Sequence, residues 1–256
     1  MIKIKRGNCP PSLDKQEKEF RKGDYKKPDV KEALLSMQHR KCCYCEINLD
    51  GSGLLMKEIE HYIPRTAEDF KDENGNPQWH LADSWTNLLF SCRNCNNKKR
   101  NKHPFDNTGG QRLLIDPTDS NCDPEDYIGF ILDDGVWGHD IRGKILLGRT
   151  TSEILGFKER VDLYKKFSKI ARAIQIKIDE LTFALLNGNT SQVKEITNDL
   201  PKIMSAHREC AAFRRAFMAK KMQELNREII PELERRHNKE IDRVEIDFPQ
   251  GAEVRN

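Results

Sequence analysis

The chain has 256 residues, a third of them charged and 37% hydrophobic, which supports one large domain or two modest ones. A formal net charge of +3 is too small to mark a nucleic-acid binder on its own. No apolar run approaches bilayer-spanning length, and Met1 to Arg6 has no hydrophobic region behind it, so a cytoplasmic location is expected.

In chain order, the first forty residues read as an arm broken at Pro10-Pro11, then a short helix over Lys31 to Gln38. Residues 1–41 carry twelve Lys/Arg against six Asp/Glu, a locally basic face that a phosphate backbone would seek. From Lys41 to about Lys102 short apolar runs alternate with Gly, Asn, Asp and Pro. Leu54 to Ile63 has the period-two alternation of a strand, with Leu55, Lys57, Ile59, His61 and Ile63 opposite Met56, Glu58 and Glu60. Residues 72–77 form a loop of turn formers, Trp85 to Phe90 is a short apolar stretch, and Asn96 to Asn101 can begin a helix.

Pro104 to about Gly148 is a connecting segment with one strand pair expected around Ile128 to Leu147. Val161, Tyr164, Phe167, Ile170, Ile174, Ile178, Leu181 and Leu185 then recur at helical spacing. Asn187-Gly188 ends that helix and Thr190 or Ser191 can cap the next, where Pro201 either kinks the chain or starts a new helix. Cys210, Phe213 and Phe217 carry the apolar stripe on toward Leu225 and Ile230. The expected division is 1–149 and 150–256, the second part a helical module.

Eight cysteines in a cytosolic setting point to metal ligands and buried thiols rather than disulfides. Cys42-x-x-Cys45 and Cys92-x-x-Cys95 supply four thiolates, the number a closed tetrahedral zinc site requires. Cys43 could replace Cys42, but only Cys42 repeats the spacing of the second pair.

The 46 residues between the pairs exceed what a zinc ribbon needs. They hold Glu58-Ile59-Glu60-His61-Tyr62-Ile63-Pro64-Arg65 and Asn87, and the second pair runs directly into Asn96-Asn97-Lys98-Lys99. In this order the residues resemble the HNH endonuclease motif: an acid-His pair before a Pro, a middle Asn, and a His or Asn after the last cysteine. The resemblance implies an α+β fold, a zinc-stapled ββα-metal core followed by the helical module. It also implies that Glu60 and Asn96 hold Mg²⁺ or Mn²⁺ against the scissile phosphate, that His61 is the general base, and that Asn87 anchors the loop and orients His61. Glu stands where Asp is commoner and Asn96 where His is frequent; both are oxygen donors suited to a hard ion. Asn96 read alone could be a helix cap and Asn87 a turn residue. Arg65, Arg93, Lys98 and Lys99 are candidate phosphate contacts, the two lysines also as neighbours of a helix N-terminus.

Outer segments add to this: Met1 to Arg6 with Pro10-Pro11, Leu114-Ile115-Asp116-Pro117 with Asp123-Pro124-Glu125, and Gly148-Arg149-Thr150 leading to Ile154-Leu155-Gly156. Together they resemble the PtuB-like family of HNH nuclease subunits in Septu-type and retron-associated anti-phage systems. That implies an ABC-type ATPase partner, with the C-terminal helices as either its docking surface or a self-contained cap. The competing expectation is a zinc-stabilised nucleic-acid-binding module without turnover. DNA is the favoured substrate, with tRNA or other RNA left open.

Overall fold

The computed structural model describes residues 1–14, 23–50, 57–66, 71, 74–76, 79–106, 108, 110–133, 136–140, 145–238, 240–241 and 243–246. The expected strand residues 54–56 and half of the 72–77 loop, residues 72, 73 and 77, lie outside them. Helices and two small antiparallel sheets make the chain a mixed α and β protein. Residues 1–129 with 140–158 form one compact unit, and 130–139 with 159–256 form another. The sequence division after 149 falls inside a helix of the first unit.

In the first unit, α1 (Pro28–Met37) opens on Pro28, whose missing N–H is no loss at the first helical position. It starts three residues before Lys31 and buries Val30, Leu34 and Leu35. Gln38 follows and works as a splint: its side chain donates to Phe90 O at 2.7 Å and accepts from Phe90 N at 2.8 Å. That contact pins the end of α1 to the central hairpin.

The hairpin pairs β1 (Lys57–His61) with β2 (Leu88–Cys92), registering Lys57 with Cys92 and His61 with Leu88. Every residue of β2 is buried, so Leu-Leu-Phe-Ser-Cys reads as a core strand. On β1 the alternation is inverted from an ordinary amphipathic strand: Glu60 is buried while Ile59 is only half-buried. The one-turn α2 (Trp79–Ala82) precedes β2, and α3 (Arg93–Lys99) follows it without a break.

The helix at the second cysteine pair starts earlier than expected. Cys92 is its N-cap, with Sγ accepting from Cys95 N at 3.5 Å, so the knuckle is the first turn of α3. Lys98 and Lys99 therefore lie in the last turn, not at the N-terminus; there their charge complements the helix dipole.

Arg6, from the basic arm, clamps the turn before β2. Its guanidinium donates to the carbonyls of Trp85 (2.6 Å), Leu88 (3.0 Å) and Thr86 (3.0 Å) and to Thr118 Oγ1 (2.9 Å). The short α4 (Pro124–Tyr127) is capped by Asp123 and leads toward α5 (Leu146–Ile154). Gly148 of α5 lies against the Tyr127 carbonyl so closely that a Cβ there would come within 2.0 Å of the oxygen.

The second unit contains most of the hairpin of β3 (Gly129–Asp133) and β4 (Val136–Asp140), inside the span expected for a strand pair. Among the described residues four α-helices follow, α6 (Val161–Leu186), α7 (Thr190–Met204), α8 (Ala211–Glu224) and α9 (Ile230–His237), the last two joined by a π-helical turn at Leu225–Ile229. The α6 stripe buries Phe167, Ile170, Ile174, Ile178, Leu181 and Leu185 as expected. At its start Leu163 turns inward and Val161 is exposed, because a 3.6-residue period places 163, not 161, above 167. Asn189, rather than Thr190 or Ser191, caps α7 by accepting from Gln192 N at 3.1 Å. α7 runs through Pro201 and ends at Met204. Phe167 stacks on Phe213 at 4.3 Å, and Phe213 on Phe217 at 5.9 Å, forming the aromatic centre of this unit.

Candidate functional site

The two cysteine pairs meet beside β2. The first lies in the turn after α1, where Cys42 N donates to Ile47 O and Cys43 N to Phe90 O. The second spans the junction of β2 and α3. Cys42, Cys45, Cys92 and Cys95 are all buried, with their sulfurs within 4.8 Å of one another. A zinc tetrahedron with bonds of about 2.3 Å places its sulfurs about 3.8 Å apart. Cys45 and Cys92 Sγ are 3.7 Å apart, so the quartet fits that ion. Cys43 is buried but stands outside the quartet, which resolves the choice between it and Cys42.

The four thiols hydrogen-bond with one another across the quartet. Hydrogen bonds from Cys42, Cys45 and Cys95 hold Cys92 far below the ordinary thiol range. Burial pushes Cys42 and Cys45 up, and hydrogen bonding to its three neighbours raises Cys95.

The acid-His pair lies one strand away, and its two side chains address different faces. Glu60 is buried. Its Oε1 accepts the Tyr44 hydroxyl at 3.3 Å and is ion-paired with Lys99 Nζ at 2.5 Å. Burial raises Glu60 above the usual carboxylate range; Lys99 and Tyr44 pull it back, while Glu58 adds to the rise. Tyr44 lies within the first cysteine knuckle, so that knuckle and β1 are in hydrogen-bond contact.

His61 points the other way. Its Nε2 is 2.9 Å from Ala82 O, and its ring meets Tyr25 edge-on at 4.8 Å. A carbonyl only accepts, so Nε2 carries the proton and Nδ1 keeps its lone pair. Burial lowers the imidazole from 6.5 to about 4, with the Arg65 and Lys99 charges adding to the fall and the Ala82 carbonyl opposing it. The ring is neutral at physiological pH.

Asn87 brackets the backbone beyond His61. Its side chain accepts from Ile63 N at 2.7 Å and donates to Ile63 O at 3.2 Å and Leu81 O at 3.1 Å. It thus ties the strand two residues after His61 to the residue just before Ala82, the partner of the imidazole.

Asn96, in the second turn of α3, is not the helix cap; its side-chain amide donates to Glu58 Oε2. Arg93 Nε is 3.8 Å from the other oxygen of Glu58. Glu58 therefore joins the site although sequence reasoning assigned it nothing. The signal was the same-face spacing of Glu58 and Glu60 on one strand. Tyr44 and Tyr25 were likewise missed, because their partners come from distant segments.

The four expected phosphate contacts separate. Arg65, Arg93 and Lys98 are exposed. Lys99 is wholly buried, donating to His61 O at 2.9 Å besides pairing with Glu60. It is not a surface cation, because the buried Glu60 carboxylate demands a counter-charge at that point.

The chain is 34% identical over 162 residues, 60% of its length, to Septu protein PtuB of Bacillus thuringiensis. It is 30% identical over 168 residues to Septu protein PtuB of Bacillus mycoides (strain KBAB4). Each match takes in 54% of the relative, so the chain spans about half the length of the curated relatives it matches. The PtuB-like resemblance expected from the sequence is borne out by both. No family model and no solved structure matches the chain. No helix among the described residues is long and apolar enough to cross a membrane.

Proposed function

We propose that this chain is a metal-dependent HNH-type endonuclease that hydrolyses phosphodiester bonds of nucleic acid, DNA in preference to tRNA or other RNA. The observation that carries the reading is His61: a half-buried, neutral imidazole with Nε2 committed to the Ala82 carbonyl and Nδ1 left as a base. Asn87 holds the backbone on both sides of that contact.

The chemistry follows from these groups. His61 Nδ1 takes a proton from water as the water oxygen bonds to phosphorus; the P–O3′ bond breaks and the leaving oxygen takes a proton from solvent. Glu60 and Glu58 share one strand face, with the Asn96 amide beside Glu58, a hard-oxygen set that fits Mg²⁺ or Mn²⁺. Bound there, such an ion would neutralise charge on the phosphoryl and leaving oxygens. Arg65, Arg93 and Lys98 would meet flanking phosphates without reading base sequence. The cysteine quartet holds structural zinc.

The likeness to Septu protein PtuB supports a place in anti-phage defence. In this reading the chain is the effector subunit of a cytoplasmic complex with an ABC-type ATPase, docked through the C-terminal helices.

The test is cleavage of plasmid DNA and of total tRNA with Mg²⁺ or Mn²⁺, with and without the ATPase partner, comparing wild type and His61→Ala. Wild type should cut and the variant should lose roughly 10²–10⁴-fold in rate with unchanged zinc content, since only a base is removed. Nucleic acid bound but never cut, equally by both proteins, would establish the non-catalytic binding module instead.

A further inference from the structure

Lys99 presents a problem in electrostatics. Its ammonium is 2.5 Å from Glu60 Oε1, the same oxygen that accepts the Tyr44 hydroxyl at 3.3 Å. Both side chains are almost wholly inaccessible, 1% for Lys99 and 2% for Glu60. One of the oxygen donors for a divalent ion thus already carries a cation in contact with it. An ammonium and a divalent ion cannot share one buried carboxylate oxygen without strong repulsion in a low-dielectric surrounding.

The rest of the seat is arranged around this contact. Glu58 stands two residues before Glu60 on the same strand face and holds the Asn96 amide. Lys99 also donates to His61 O at 2.9 Å, so the same ammonium fastens the carboxylate and the backbone of the base. Lys99 is the last residue of α3, and the chain turns at Arg100 with φ of 47°. A side chain at a helix end can be re-aimed without unwinding a helix interior.

We propose that Lys99 is the resident cation of the divalent-ion seat. Its ammonium neutralises Glu60 and fastens His61 when no divalent ion is bound, and it withdraws when one arrives. Ion binding is then an exchange of cations on Glu60, and the strand that carries His61 is released from Lys99 in the same event. The identity of the seat rests on the nuclease reading above; the exchange is a separate claim about Lys99.

The experiment is titration of the zinc-loaded full chain with Mn²⁺, followed by calorimetry and by thermal unfolding, for wild type, Lys99→Met, Lys99→Arg and Glu60→Gln. With the competing charge removed, Lys99→Met should bind Mn²⁺ at least about tenfold more tightly, and Mn²⁺ should raise its Tm more than it raises that of wild type. Lys99→Arg, which keeps the cation, should behave like wild type. Equal or weaker Mn²⁺ binding by Lys99→Met, with binding lost in Glu60→Gln, would overturn the exchange and leave the nuclease seat standing. No Mn²⁺ binding by wild type, or binding unchanged by Glu60→Gln, would overturn the seat and the exchange together. Should Lys99→Met fail to fold, amine labelling of wild type read by mass spectrometry decides. Lys99 should be protected without Mn²⁺ and labelled at saturating Mn²⁺; unchanged protection overturns the exchange.

Discussion

The helical unit buries Phe167, Ile174, Leu181, Leu200, Phe213, Phe217 and Leu225, and its buried charged side chains are few, Arg160 and Arg215 among them. The hairpin unit buries Lys41, Glu46, Glu60, Asp83, Asn87 and Lys99 in addition to six thiols, four of them the quartet. The first is held by the non-directional gain of removing apolar surface from water. The second depends on directional bonds that must all be satisfied at once, since each buried polar group costs free energy when its partner is lost. A unit built this way holds its side chains to narrow geometry, and its four-cysteine cluster is of a kind that can add a metal ion's binding energy to folding.

This contrast can be broken most sharply at the zinc quartet. Structural zinc sites contribute roughly 10–16 kcal/mol of binding free energy, so Cys92→Ser should lose zinc and unfold the hairpin unit. Zinc content and circular dichroism check this: the helical signal of α6 to α8 should survive. Full zinc and full stability in that variant would end the four-cysteine assignment. In the other unit, Phe167→Ala should cost about 3–5 kcal/mol by opening a cavity beside Phe213, with zinc content unchanged. Loss of zinc from that variant would mean the two units do not fail separately.

A smaller effect separates the units by pH. His61 is lowered from 6.5 to about 4, so between those values the unfolded chain binds a proton that the folded chain does not. Stability should therefore fall as pH drops from 6.5 toward 4, by about 3 kcal/mol at most from this group, and level off below. Denaturant unfolding of wild type and His61→Ala across that range isolates the slope, which the variant should lack. The acid limb of cleavage should likewise fall near pH 4 and not near 6.5. A limb at 6.5 would show an imidazole more exposed than the structure places it.

The quartet of Cys42, Cys45, Cys92 and Cys95 was legible because two short spacings and one valence rule are local facts. The stripe from Phe167 to Leu185 was legible because a helix repeats its face every 3.6 residues. Asn87 could be singled out only through its place in a motif; its bonds to Ile63 and Leu81 join segments that no period connects. The early start of α3 escaped because Cys92 has no cap signature until its sulfur meets Cys95 N.

Residue types, spacings and periods thus determined, from the sequence alone, a four-cysteine cluster of metal-site type followed by amphipathic helices, since these depend on valence and on backbone geometry within a few residues. Only the tertiary structure decided that Lys99 is buried against Glu60, that Glu58 rather than Glu60 holds Asn96, and that His61 donates to Ala82. Charge at a point in the interior is set by whatever distant segments pack there, and a lysine in a basic run looks the same on paper whether it faces water or a buried carboxylate.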